Sequence, residues 1–180
     1  AKEVPEDRHN FFYAVWVLAL CGLLGITITG DAFNVYVLLE ISSLTVYALV
    51  AMGKDTHRGA LTASLRYLIL GSVGASFILL GIGYLMMITG TLNMQDMHDR
   101  LHSVPGILQS KTVLVAFAFL VVGLGLKMAM FPLHMWLPPA HAGAPPAASA
   151  MLSALVVKAS FFLIVRLWFD VMPPLPEPLP

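Results

Sequence analysis

KTVLVAFAFLVVGLGLKMAMFPLHMW, residues 111–136, is the stretch that decides the fold. From Lys111 to Phe131 it is apolar save for a threonine, two glycines and a single interior cation, Lys127. About 20 predominantly apolar residues suffice for a helix to cross the roughly 30 Å hydrocarbon core of a bilayer. Four more windows have the same character: Phe11–Thr29, Phe33–Met52, Leu65–Thr89 and Ala147–Val171. The chain has 180 residues, 58% hydrophobic and 11% charged. A soluble domain carries about 25% charged residues to cover its core. The sequence therefore predicts an all-α integral membrane protein of five transmembrane helices, the fourth broken near Pro132.

The organisation follows from those windows. Residues 1–10 form a polar N-terminal segment, 11–171 a single five-span module, and 172–180 a proline-rich tail. The tail favours an extended, polyproline-like exit, and the chain reads as a piece of something longer. The opening residues lack the positive region of a signal peptide. Gly30 and Asp31 leave room only for a tight turn, so the first two spans should pack antiparallel. The polar stretch before Lys111 has the composition of a short surface helix. Lys2, Arg8, Lys54, Arg58 and Arg66 fall on one side, against Arg100, Lys111 and Arg166 on the other. That bias predicts a cytoplasmic N-terminus.

The zero formal net charge gives no footing for nucleic acid, and the single cysteine, Cys21, excludes an internal disulfide. No nucleotide-binding loop, CxxC pair or nucleophile–base set is present, so no self-contained catalytic site and no cofactor are expected. His98 and His102 have the i, i+4 spacing of metal ligands but no third partner, and read as a solvated segment. Ser72 and Ser76, with Gly71 and Gly74, read as small-residue helix packing. Arg66 reads as a cation snorkelling to the headgroups.

Three charges stand apart, because they lie inside the apolar windows: Glu40, Lys127 and Lys158. A charge at the bilayer centre costs about 2.5–3.5 kcal/mol on insertion scales, so all three should face protein or water. Tyr36, Glu40, Ser43 and Tyr47 recur at helical spacing and form one polar stripe on the second span. Hydroxyls around a carboxylate suit either a proton path or a buried ion pair that only fixes helix docking. Burial disfavours a lysine's charged form and a nearby carboxylate restores it. A lysine whose carboxylate partner approaches or retreats can thus take up and release a proton. Pro132 should break the helix that carries Lys127, and broken helices at membrane depth border cavities or buried contacts. His134, just past the break, could pass protons between Lys127 and Lys158, or could sit at the membrane interface beside Trp136. His141 reads as a loop or surface residue.

Together, GDAFNVYVLLEISSLTVYALVAMG (30–53), TGTLNMQDM (89–97) and GLKMAMFPLHMWLPPAHAGAPPAASAMLSALVVKASFFLIVRL (125–167) resemble the antiporter-like, proton-conducting membrane subunits. That family includes the L, M and N subunits of NADH–quinone oxidoreductase, their membrane-bound hydrogenase relatives, and the D-type subunits of Mrp-type cation/proton antiporters. The resemblance implies that these spans are the first of two inverted five-helix repeats, a common transporter pattern. It implies that Glu40, Lys127, Lys158 and His134 form a proton relay, with Tyr36, Ser43 and Tyr47 in support. It also implies other membrane subunits as partners, with protons or Na⁺ as the coupled ions, in the cytoplasmic membrane of a prokaryote. Pro139 stands where many relatives have an acidic residue, and the second repeat is absent. A sodium/proton exchanger, a structural scaffold and a quinone site at PLHMW remain alternatives.

Overall fold

The computed structural model describes residues 4, 6–53 and 57–171. The tail at 172–180, Lys2 and Lys54 lie outside them. Eight α-helices are joined by short turns among the described residues. They are α1 (His9–Ile28), α2 (Ala32–Ala51), α3 (His57–Thr89), α4 (Met94–Ser103), α5 (Lys111–Lys127), α6 (Leu137–Gly143), α7 (Pro146–Met151) and α8 (Val157–Asp170). A π-helical stretch, Leu152–Val156, joins α7 to α8 without a break. Four helical segments are long and apolar enough to span a membrane: α1, α2, Gly59–Thr89 and the continuous Pro146–Asp170. The fourth expected span, α5, has 17 residues and stands at the short end of the spanning range.

Each turn has a local cause. Thr29 to Asp31 reverses the chain, and the Asp31 carboxylate accepts from the Asn34 backbone to start α2. This is the N-terminal capping that supplies a partner to an otherwise orphaned N–H. The turn is tied to the next one: Ala32 N–H donates to the Leu92 carbonyl and Met94 N–H to the Gly30 carbonyl. Asn93 caps α4 through Gln95 and Asp96. As expected, α4 is a short amphipathic surface helix, burying Met94, Met97 and Leu101 at spacings of three and four.

α3 and α5 cross closely because glycines face each other there. A Cβ at Gly123 would fall 2.6 Å from the Gly74 carbonyl oxygen, and one at Gly81 would fall 2.6 Å from Leu120. The glycines of α3 therefore act in helix packing as expected. Ser72 and Ser76 do not: both are exposed, and Ser76 donates back to the Ser72 carbonyl. That internal bond satisfies the hydroxyl on the outer face of the helix.

The apolar interior has two layers. One gathers Val46, Tyr47, Val50, Tyr67, Leu126, Trp136, Met151 and Leu152. The other gathers Val35, Leu39, Ile78, Ile82, Leu120, Leu124, Met97 and Leu163. The outer surface is apolar too, with Leu24, Ile28, Ile69, Leu114, Phe161 and Phe169 all exposed. An outer face of this kind suits hydrocarbon and not water. α2 is the most enclosed of these four long segments, half of its span buried against 28% for α1. It is the one that carries the polar stripe.

Candidate functional site

Residues 39 and 124 belong to one apolar layer, residues 46, 47 and 126 to the other. Between the layers α2 and α5 bring Glu40, Ser43 and Lys127 together. The Lys127 ammonium donates to Glu40 Oε1, and to Ser43 Oγ at 2.9 Å. Ser43 in turn donates to the Leu39 carbonyl at 2.8 Å, a bond that Ser42 duplicates. Lys127 is only 5% exposed, and the Glu40 side chain 22%. The lysine is thus sealed, while its carboxylate keeps one edge open. Two charges at this depth need each other. Removing one partner of a buried pair typically costs about 3–5 kcal/mol, since the other charge is left uncompensated.

The position of Lys127 at the end of its helix is itself electrostatically favourable. α5 terminates at Lys127, where the aligned peptide dipoles give the helix end a partial negative charge that favours a cation. The expected break near Pro132 is present, but the helix stops five residues before the proline. Met128 N–H donates to Leu124, Ala129 N–H to Leu126 and Met130 N–H to Gly125. The last two are the paired bonds of a Schellman motif, which needs a residue in the left-handed region just after the cap. Ala129 occupies it at φ 57°, a position normally given to glycine. Turns then run from Met128 to Trp136, with Pro132 at their centre.

The rest of the stripe is placed less uniformly. Tyr47 is buried, and its hydroxyl makes no hydrogen bond of ordinary geometry among the described residues. It fits against the bare backbone of Gly71, where a Cβ would come within 1.9 Å of the oxygen. Tyr47 meets Tyr67 edge-on at 4.3 Å, and Tyr67 stacks on Trp136 at 4.1 Å and 3°. Tyr36 is half-buried and packs against the second layer.

Lys158 and His134 are not brought to the pair. Lys158 is exposed on α8, and its ammonium donates to the Ser153 carbonyl at 2.6 Å, in the π-helical stretch of its own helix. It lines an open cleft of about 270 Å³ between α1 and α8, beside Leu20, Leu24, Thr27 and Phe162. The ammonium thus faces this cleft, and it does not reach Glu40 or Lys127. His134 is also exposed, stacked on Phe131 at 5.6 Å. His141, read as loop or surface, is instead half-buried within α6, where Nδ1 contacts Ser149 Oγ at 2.7 Å. His98 and His102 lie on α4 with their rings 3.9 Å apart. No group of three or more metal-binding side chains occurs among the described residues.

Sequence reasoning missed what holds the end of α5. Trp136 is 1% exposed, and its indole N–H donates to the Leu126 carbonyl at 2.8 Å, one residue before the buried lysine. A tryptophan following a proline-broken helix was the available signal, since a buried indole N–H needs an acceptor.

Long apolar helices packed around a buried ion pair define a multi-pass helical membrane protein. The chain belongs to the family described as NADH:quinone oxidoreductase/Mrp antiporter, TM, which matches residues 29–177. It is similar to the N subunit of NADH-quinone oxidoreductase from Desulforudis audaxviator, with 48% identity over 93% of the chain and 32% of the relative. It is similar to the D-type subunit of the Na(+)/H(+) antiporter from Bacillus subtilis as well, with 33% identity over 93% of the chain and 33% of the relative. Among solved structures it resembles the Mrp complex of Dietzia sp. at a TM-score of 0.78 and 28% identity, over 88% of this chain and 29% of that one. The chain spans about a third of the length of the relatives it matches.

Proposed function

We propose that residues 11–171 form a proton-conducting module of a larger membrane complex, in which Glu40 and Lys127 carry the proton as a coupled pair. The single observation behind this reading is the sealed Lys127 ammonium bonded to Glu40 and Ser43 inside an apolar bundle. Separation of the pair leaves a lysine in surroundings that disfavour its charge, and re-approach of the carboxylate restores it. That cycle is one proton released and one taken up. The open edge of Glu40 is the side from which the proton arrives.

Lys158 is the next station in this proposal. It is reached when a neighbouring helix closes the cleft between α1 and α8, and His134 serves as the intermediate group. Other membrane subunits are its partners, because the similar proteins are subunits of such assemblies. The membrane is the cytoplasmic membrane of a prokaryote, and the N-terminus faces the cytoplasm. Similarity to a component of a Na(+)/H(+) antiporter supports a second reading, exchange of Na⁺ for protons.

Proton movement in proteoliposomes holding the full complex tests the proposal. Lys127→Ala and Glu40→Gln should each abolish most of it while the complex still assembles. Unchanged proton movement with impaired assembly would assign the pair a scaffolding role only. Dependence on added Na⁺ would select the exchanger.

A further inference from the structure

We infer that Trp136 is a positioning residue for Lys127: its indole N–H fastens the end of α5 at the point where the lysine meets Glu40. The inference rests on the reading of that pair as the proton carrier. Four observations converge on the tryptophan. Its donor reaches the carbonyl of Leu126, the residue directly before Lys127. That carbonyl also accepts from Ala129 N–H in the helix-ending turn, so both of its lone pairs are used. The indole is buried and stacked flat on Tyr67. Tyr67 contacts Tyr47, which shares a helix face with Glu40 and Ser43.

The consequence is mechanical. α5 ends in a strained alanine and then in a run of turns, so the last helical residue has no continuing helix to hold it. Trp136 returns from the far end of those turns and closes the loop onto the helix terminus. Through Tyr67 and Tyr47 it also braces that terminus against α2 and α3. Release of the indole bond frees Lys127 to withdraw from Glu40, so a partner that moves Trp136 acts on the pair through this contact, in addition to the helix-ending bonds of residues 128–130. The titratable groups nearest the pair in the fold are Tyr36 and Tyr47, on the same face of α2 as Glu40, and Tyr67 of α3, which meets Tyr47.

Trp136→Phe keeps the ring on Tyr67 and removes only the donor. In the full complex it should lower proton movement on the order of 10–100-fold, the scale set by misplacing a reacting group by about 1 Å. It should also move the midpoint of the pH profile, because the lysine's surroundings change. A packing defect alone would lower the amplitude and leave the midpoint in place. Replacement of Trp136 by β-(3-benzothienyl)alanine, with sulfur in place of the N–H and the shape retained, provides the same test if the phenylalanine variant does not assemble. A structure of either variant should show the Lys127 ammonium out of hydrogen-bonding distance of Glu40. An intact pair together with a wild-type pH profile would overturn the inference. If Lys127→Ala leaves proton movement unchanged, the proton-carrier reading fails, and the geometry of the variant structure still decides the role of Trp136.

Discussion

Two lysines sit inside apolar helices of this chain, and the protein treats them in opposite ways. Lys127 ends α5, is buried, and reaches across to a carboxylate and a hydroxyl on α2. Lys158 begins α8, is exposed, and turns back to a carbonyl of its own helix. Both stand where a helix departs from regular geometry, one at a helix end and one beside a π-helical stretch. Irregular backbone at membrane depth is tolerated where protein or water surrounds it. The first lysine has that surrounding within the chain. The second faces an open cleft between α1 and α8.

That contrast can be broken by substitution, and the largest effect is expected at the buried pair. Lys127→Ala should destabilise the folded bundle by about 3–5 kcal/mol by leaving Glu40 without its cation. Lys158→Ala should fall within about 0.5 kcal/mol, as for surface positions generally. Thermal unfolding of the detergent-solubilised complex compares the two. Equal destabilisation would mean that the chain does not distinguish them.

A smaller effect is expected where α3 and α5 cross. Gly123→Ala places a methyl against the Gly74 carbonyl and should cost about 1–3 kcal/mol as an overpacked contact. Since this crossing holds α5 beside α2, the substitution should also weaken the pair while leaving Lys158 unaffected. Solvent accessibility of the two ammonium groups to amine labelling, before and after substitution, reads that asymmetry.

The smallest effect is a gain. Ala129→Gly removes the steric penalty of a left-handed alanine, about 1–2 kcal/mol, offset in part by the greater freedom of glycine in the unfolded chain. A rise in melting temperature is expected, and no rise would indicate that the turn ends α5 without strain.

Much of this contrast was legible in the residues, though unevenly. The apolar windows located the spanning helices to within a few residues for α1, α2 and the α7–α8 segment, because length and hydropathy are local properties. α3 begins at His57 rather than near Leu65, since a polar first turn can extend a helix past the hydrocarbon. The Tyr36, Glu40, Ser43, Tyr47 stripe could be read from spacing alone, and Lys127 reaches it. What spacing cannot supply is the partner of each charge. Lys158 and Lys127 look alike as isolated cations in apolar runs, and only the π turn and the neighbouring helices separate them. The end of α5 was legible as a break near Pro132. Its placement before the proline depends on an alanine in an unfavourable backbone state, which composition would not suggest. The Trp136 bond joins residues on either side of that break and depends on the path of the intervening turns.

A double-mutant cycle in proton movement tests most directly whether Glu40 and Lys127 act as one unit. Glu40→Gln, Lys127→Met and the double variant would be compared in proteoliposomes of the full complex. Groups that work together lose their effect together, so the double variant should be about as impaired as either single one. Losses that multiply, each substitution adding its own full decrement, would contradict the account.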